Sequence, residues 1–301
     1  MSRTPISARL LLLTTLVLAG SAVPAAAQMP FTSFDIPWAA DLRVYGINDD
    51  GVVVGDWTTI ENGPPFVSIG FIRSPGGRIT TPILNPNDTE SFTVLRAINN
   101  EGVIAGFYGL SVVHGFVLTE GLFTPRDFPG ALDTAVRGIN NRGDLSGTYD
   151  TALHPDSIGF MLPRIGPPIT FGPPLGGSGL YVSHINDWRQ AVGFYTAADG
   201  TTRGYLREPN GQMVDVIVPG AAATLVYGIN NCGIISGLWT DGTGHGFYGR
   251  PGNLHSFDVP GAGATSARGI NNRGRIVGEY SANGRHGYVT APIAGAACED
   301  D

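Results

Sequence analysis

An Ile-Asn pair recurs six times along this chain, at Ile47-Asn48, Ile98-Asn99, Ile139-Asn140, Ile185-Asn186, Ile229-Asn230 and Ile270-Asn271, with asparagine spacings of 51, 41, 46, 44 and 41 residues. A period of this length restricts the fold to an array of similar units that bury their apolar faces against one another. Three further elements keep the same phase. A glycine follows each pair (Gly55, Gly106, Gly147, Gly193, Gly237, Gly278), and two residues later comes an aromatic: Trp57, Tyr108, Tyr149, Tyr195, Trp239 or Tyr280. Next stands glycine with phenylalanine or tyrosine, at Gly70-Phe71, Gly115-Phe116, Gly159-Phe160, Gly204-Tyr205, Gly246-Phe247 and Gly287-Tyr288. The fourth element ends in proline, at Pro37, Pro86, Pro129, Pro174, Pro219 and Pro260.

Each unit reads as four short strands. In the third, Thr134 to Ile139 form the first strand and Asn140-Asn141-Arg142-Gly143 a hairpin turn with glycine at a positive φ. Leu145 to Tyr149 and Gly159 to Leu162 follow, and the last strand stops before the proline, which cannot donate to a continuing ladder. The 44 glycines and 22 prolines suit many short strands joined by turns. Four strands at this period describe a propeller blade.

The phase of the two ends bears on closure. The first element after the leader is a fourth strand, Phe31 to Ile36, whereas the last repeat stops after its third strand, Gly287-Tyr288-Val289. The expectation is therefore an all-β, six-bladed β-propeller over residues 28–290, in which the N-terminal strand completes the last blade and leaves no chain-end edge unpaired. Residues 291–301 form a C-terminal tail. A β-solenoid gives no reason for this phase offset.

Residues 1–27 read as a signal peptide, with Arg3 and Arg9, an apolar run from Leu10 to Ala19, and Ala25-Ala26-Ala27 before the cleavage point. That run is short for a membrane span of about 20 residues. The mature protein is expected to be a periplasmic or extracellular monomer with no membrane span. Removing Arg3 and Arg9 takes the net charge from -7 to -9, which disfavours nucleic acid as a partner. Cys232 and Cys298, the two cysteines, are candidates for a disulfide tying down the C-terminus, subject to a Cα separation under about 7 Å.

Phe257-Asp258-Val259-Pro260-Gly261-Ala262, the run from Gly269 to Tyr280, and His286-Gly287-Tyr288 resemble the repeat units of bacterial exported proteins with HAF-type repeats. The resemblance spans residues 34–290 and implies an exported repeat architecture. It departs at Ala97 and His184, which replace the motif's first glycine, and at Asp187-Trp188-Arg189-Gln190, where the Asn-Asn-x-Gly turn is lost.

Residues present in every unit are expected to pack. The twelve repeated aromatics fill space between blades, each giving roughly 1.5 to 3 kcal/mol on burial. His114, His245 and His286 precede Gly-Phe or Gly-Tyr one per blade, which does not converge on a metal, and Asn48-Asp49-Asp50-Gly51 only faintly resembles a calcium loop. The residue two before each repeated isoleucine varies instead: Tyr45, Arg96, Arg137, Ser183, Tyr227 and Arg268. On the innermost strand, Arg96, Arg137, Arg268, Tyr45 and Tyr227 are candidates for an anionic or sugar-like ligand. The competing reading is pairing of Arg137 and Arg268 with Asp127 and Asp258. Among the variable loops, His154 and Asp156 are a further candidate pair, and His184 and Arg189 mark the most divergent blade.

No nucleophile elbow, phosphate loop or Cys-x-x-Cys pair is present, so catalytic residues, metal ligands and cofactors are not assigned. The preferred reading is a non-enzymatic binding or scaffold module for a glycan, a small anion or a protein. A propeller hydrolase or lyase acting outside the cytoplasm, and a purely structural surface repeat, are the alternatives.

Overall fold

The computed structural model describes residues 29–59 and 67–298, without the side chains of 154–156. The leader expected at 1–27 and most of the loop from Thr58 to Val67 lie outside the described residues. Among these there are β-strands and no α-helix, so no helix is long and apolar enough to cross a membrane.

After β1 (Phe31–Phe34), the strands fall into successive antiparallel meanders. The first is β2 (Asp41–Ile47), β3 (Val53–Thr58), β4 (Ile69–Arg73) and β5 (Ile79–Ile83). The second is β6 (Thr93–Ile98), β7 (Ile104–Tyr108), β8 (His114–Thr119) and β9 (Leu122–Pro125). The third is β10 (Asp133–Ile139), β11 (Leu145–Thr151), β12 (His154–Leu162) and β13 (Ile169–Phe171). The fourth, β14 (Ser178–Ile185), β15 (Ala191–Thr196), β16 (Thr202–Arg207) and β17 (Met213–Val216), joins the fifth through one parallel pair, Thr202 with Ala223. The fifth is β18 (Ala223–Ile229), β19 (Ile235–Thr240), β20 (Gly244–Arg250) and β21 (Asn253–Phe257). Last come β22 (Ala264–Ile270), β23 (Ile276–Ser281) and β24 (Arg285–Thr290), and β24 pairs with β1 from Phe31 opposite Thr290 to Phe34 opposite Gly287. β1 ends two residues short of the expected Ile36, because Ile36 leaves the ladder to accept from Ala39 N in a turn.

Every first strand carries a β-bulge against its second strand at the same place, between Val44 and Gly46, Leu95 and Ala97, Val136 and Gly138, Val182 and His184, Val226 and Gly228, and Ala267 and Gly269. The repeated glycine on the second strand lies under it. A Cβ at Gly55, Gly106, Gly147, Gly193, Gly237 or Gly278 would stand only 1.8 to 2.1 Å from a first-strand carbonyl oxygen. The repeated Phe71, Phe116, Phe160, Tyr205, Phe247 and Tyr288 lie over the same glycines and are fully buried. The glycine exists because backbone on one side and ring on the other leave no volume for a methyl group.

The Asn-Asn-x-Gly turns explain the recurring asparagines. Each first asparagine folds its own turn, Oδ1 accepting from backbone N–H groups two or four residues on, as Asn140 does from Arg142 and Asp144. Its Nδ2 donates to the backbone oxygen of the next unit's asparagine: Asn48 to Asn99, Asn99 to Asn140, Asn140 to Asn186, Asn186 to Asn230, Asn230 to Asn271, and Asn271 back to Asn48, at 2.9 to 3.3 Å. A second cycle runs through the following residues. Backbone N–H groups of Asp49, Asn100, Asn141, Asp187, Asn231 and Asn272 each donate to the next side-chain Oδ1, at 2.7 to 3.0 Å.

The expected loss of the fourth turn is corrected here. Arg189 takes the glycine's place at φ 60°, and the hydrogen bonds of the other turns remain. Its side chain is held by Asp144 at 2.8 Å. Asp49 is no calcium ligand in this arrangement, since its Oδ2 accepts from Asn100 Nδ2 and Asn272 Nδ2 at 2.5 and 2.8 Å. The tail lies against these turns: Ile293 N donates to Gly274 O, Cys298 N to Asn272 O, and Cys298 is disulfide-bonded to Cys232 across a Cα separation of 5.4 Å.

Three measurements follow from this packing. Gly237→Ala is expected to cost at least about 1 to 3 kcal/mol in denaturant melts, since the added methyl meets backbone. Asp187→Asn should cost about 1 to 3 kcal/mol by exchanging a carboxylate that accepts from Asn141 and Asn231 for a group with its own donors, while exposed Asp50→Asn stays within about 0.5 kcal/mol.

The third concerns pH. Desolvation, with Arg96 nearby, lowers His184 to about 4, so the stability it carries is complete above the ordinary value near 6.5 and is lost as pH falls toward 4. His245 is raised by its bond to Asp258, and His286 by Ala282 O and then Asp35; their contribution is complete below about 6.5 and is lost as pH rises through the raised values. Melting temperature should therefore peak near pH 6 to 7. His184→Ala, matching Ala97 in the second unit, should flatten the limb between pH 6.5 and 4 and leave the alkaline limb in place.

Candidate functional site

The bulge decides where the variable residues point. Tyr45, Arg96, Arg137, Ser183, Tyr227 and Arg268 are the residues that have no partner in the ladder at the six bulges. A bulge re-aims the side chain it carries, and these reach across the space between first strands. The Arg96 guanidinium lies 3.8 Å from the centre of the Tyr45 ring and donates from Nη2 to Tyr181 Oη at 3.0 Å, so one side chain on β6 links β2 and β14. Arg137 lies 4.2 Å from the Tyr181 ring centre and donates to Thr148 Oγ1. Arg268 lies 4.1 Å from the Tyr227 ring centre and donates from Nε to Glu279 Oε1 at 2.7 Å.

The three expected arginines and two expected tyrosines thus form one cluster. Pairing of Arg137 and Arg268 with Asp127 and Asp258 is corrected. Those aspartates lie beyond the fourth strands, where they hold His114 and His245 on the adjoining third strands at 3.0 and 2.9 Å. The first-strand arginines point the other way. His114, His245 and His286 each stack on the repeated aromatic of their unit, which completes a structural role for them. His184 takes the position held elsewhere by glycine or alanine and is half-buried, with its Nδ1 buried and unpartnered; among the described residues it is not brought into an acid/base pair. His154 and Asp156 begin β12, but their side chains lie outside the described residues.

Charge in the cluster is unbalanced. Glu279 serves Arg268, and buried Asp56 accepts from Ser68 at 2.7 Å with Arg43 3.8 Å away. Among the described residues no carboxylate stands within ion-pair distance of Arg96 or Arg137, and the Nε of each is buried without a partner. A buried guanidinium lacking counter-charge is costly. Burial lowers the Arg137 value, with Arg96 adding repulsion. The cluster retains a path to solvent, because the Arg268 side chain keeps 21 % of its exposure.

Tyr181, Asp56 and Glu279 were missed as cluster members. Tyr181 stands two residues before the bulge on β14, and Asp56 and Glu279 pair with the equivalent positions Arg43 and Ser266. The signal was present: inward positions alternate along each first strand, and cross-strand partners share a face. Phe194, opposite Tyr181, stacks on it at 4.7 Å.

At the turn end, the six first strands converge on a cavity of about 40 Å³ lined by the asparagine cycles, the repeated isoleucines and His184, wide enough to hold water. Among the described residues, no group of three histidine, cysteine or acidic side chains is placed to hold a metal ion.

No family model matches the chain, and no curated protein matches it in sequence. Solved β-propeller structures do match in shape. A streptogramin B lyase is 14% identical with a TM-score of 0.51, covering 87% of this chain and 97% of its own. TolB from Acinetobacter baumannii is 11% identical with a TM-score of 0.55, over 79% of this chain and 63% of its own. A putative gluconolactonase is 12% identical with a TM-score of 0.52, over 88% and 92%. At these identities the likeness is one of fold, and the fold of this chain is that of a β-propeller.

Proposed function

We propose that this chain is an exported, monomeric six-bladed β-propeller of the HAF-repeat type that acts as a binding module, holding a small anion or the acidic group of a glycan in its central channel. Pairing of β1 with β24 and the return of both asparagine cycles to the first unit support closure into six blades. The disulfide suits an oxidising compartment outside the cytoplasm.

The observation that carries the ligand class is the charge deficit. Arg96 is buried and Arg137 half-buried, neither has a carboxylate within ion-pair distance among the described residues, and the Nε of each is buried without a partner, while tyrosine and phenylalanine rings wall the site. Guanidinium forks match carboxylate and phosphate oxygens, and the rings offer an apolar face to a ligand's body. Among the described residues no convergent acid/base pair accompanies them, which favours binding over a hydrolase or lyase.

The test is thermal unfolding of residues 28–301 against acetate, citrate, phosphate and galacturonate. A ligand at about 100 times its Kd adds about 2.7 kcal/mol to the folded state. Arg137→Met should abolish the shift while leaving the ligand-free protein equally or more stable, because an uncompensated buried charge is removed. Loss of ligand-free stability in Arg137→Met, with no ligand shift in the parent protein, would make the arginines structural.

A further inference from the structure

Three tyrosines share the cluster with three arginines, and they differ in their company. Tyr227 stacks on Arg268, whose charge is already met by Glu279. Tyr45 stacks on Arg96 but also faces buried Asp56. Tyr181 alone lies between Arg96 and Arg137, which have no carboxylate within ion-pair distance among the described residues: Arg96 donates to its Oη at 3.0 Å, and Arg137 lies 4.2 Å from its ring centre.

The groups around Tyr181 come from every first strand that reaches the middle. They are Arg96 on β6, Arg137 on β10, Arg268 on β22, Tyr45 on β2 and Tyr227 on β18, with Ser183 and neutral His184 on its own strand. Second strands add Asp56, Glu279 and Asp150, the last facing Arg137. Asp56 and Glu279 are engaged by Ser68 and Arg268, and among the described residues no carboxylate lies within ion-pair distance of Arg96 or Arg137.

We propose that anion uptake in the channel is coupled to uptake of one proton by Tyr181: the site between Arg96 and Arg137 holds either the Tyr181 phenolate or an external carboxylate-type monoanion, but not both. At alkaline pH and without ligand, the phenolate is the internal counter-charge. A ligand A⁻ enters as the phenolate oxygen takes a proton from solvent, so that Tyr–O⁻ + H⁺ + A⁻ gives Tyr–OH with A⁻ bound, and the net charge of the site is unchanged. The inference rests on the anion-binding reading above and adds its pH control.

Electrostatics agree with the geometry. Burial pushes the Tyr181 phenol up, yet Arg96, Arg137 and Arg268 outweigh it and bring the group down to about 8. Burial dominates at Tyr45 and Tyr227, and both are raised. Exchange of phenolate for ligand therefore falls in the mildly alkaline range.

Calorimetric titration with acetate and with galacturonate, whose charges are constant above pH 6, tests this between pH 6.5 and 9.5. The dissociation constant should be level at the acid end and rise about tenfold per pH unit above 8. Repeating the titration in two buffers of different ionisation enthalpy should show about one proton taken up per ligand at alkaline pH. Tyr181→Phe, which keeps the ring on Phe194, should bind with no pH dependence in this range. Ultraviolet titration of the unaltered protein offers a check that needs no variant: one tyrosine should ionise near pH 8, and saturating ligand should move it upward. Binding of equal strength at all pH values, or a proton count near zero at pH 9, overturns the coupling and leaves the anion site standing. No binding of any probe at pH 6.5 overturns the anion site itself and the coupling with it.

Discussion

The two cycles of hydrogen bonds through the turn asparagines are the constraint on which the remaining geometry depends. An asparagine carries both an acceptor and a donor. With its oxygen the first asparagine closes its own turn, and with its nitrogen it reaches the next unit. One side chain therefore sets local backbone and long-range order together; serine lacks the reach, ionised aspartate lacks the donor, and glutamine is one methylene longer than the turn is built for. The second cycle needs a different solution. Its side-chain oxygens accept backbone N–H groups, which leaves four Nδ2 donors in search of partners. Asp49 and Asp187 stand three units apart, and each carboxylate accepts from the asparagines on both sides. The order Asp, Asn, Asn, Asp, Asn, Asn satisfies every donor; six asparagines would leave side-chain donors facing one another.

Fixing the turns fixes the bulges, because turn and bulge lie a few residues apart on the same strand. The bulge tilts a carbonyl against the second strand, the second strand answers with glycine, and the vacant side of that glycine receives the aromatic of the third strand. Three repeated elements that look independent in the sequence are one packing event. It also frees one side chain per unit from the ladder and directs it to the middle, which is where the units are allowed to differ.

The sequence made this much legible because repetition amplifies weak signals. A single Asn-Asn-x-Gly is a turn; six in phase with glycines and aromatics are an architecture, and the offset between first and last strands placed β1 on β24. Pairing was less legible. Asp127 and Asp258 lie in the same repeat phase as the arginines, but phase does not say which side of a sheet a residue leaves from, and the histidines of the third strand claim them. Nor does a lost motif mean a lost turn: Arg189 accepts a left-handed backbone because Asp144 holds its head and Asn186 still closes the loop. Tyr181 escaped notice because it occupies a position where other units carry Val94, Ala135 or Leu225, so repetition gave no cue.

Those substitutions bear on what the middle of the molecule is for. Val94, Ala135 and Leu225 show that the backbone tolerates apolar side chains next to the axis, and Ser183 shows that the bulge accepts a small residue. Stability alone would be served by filling the space in that way, since each guanidinium buried without a carboxylate costs free energy that cation–π contacts of about 0.5 to 2 kcal/mol only partly offset. The repeated frame is thus conservative at its turns and glycines, where every unit meets the same packing demand, and costly at its centre, where it gathers guanidinium groups around one tyrosine. Arg73 and Arg207 bear a like cost singly, over the Phe34 and Phe171 rings; the gathering of two such guanidinium groups around one tyrosine marks the centre as a place that does something other than hold the fold together.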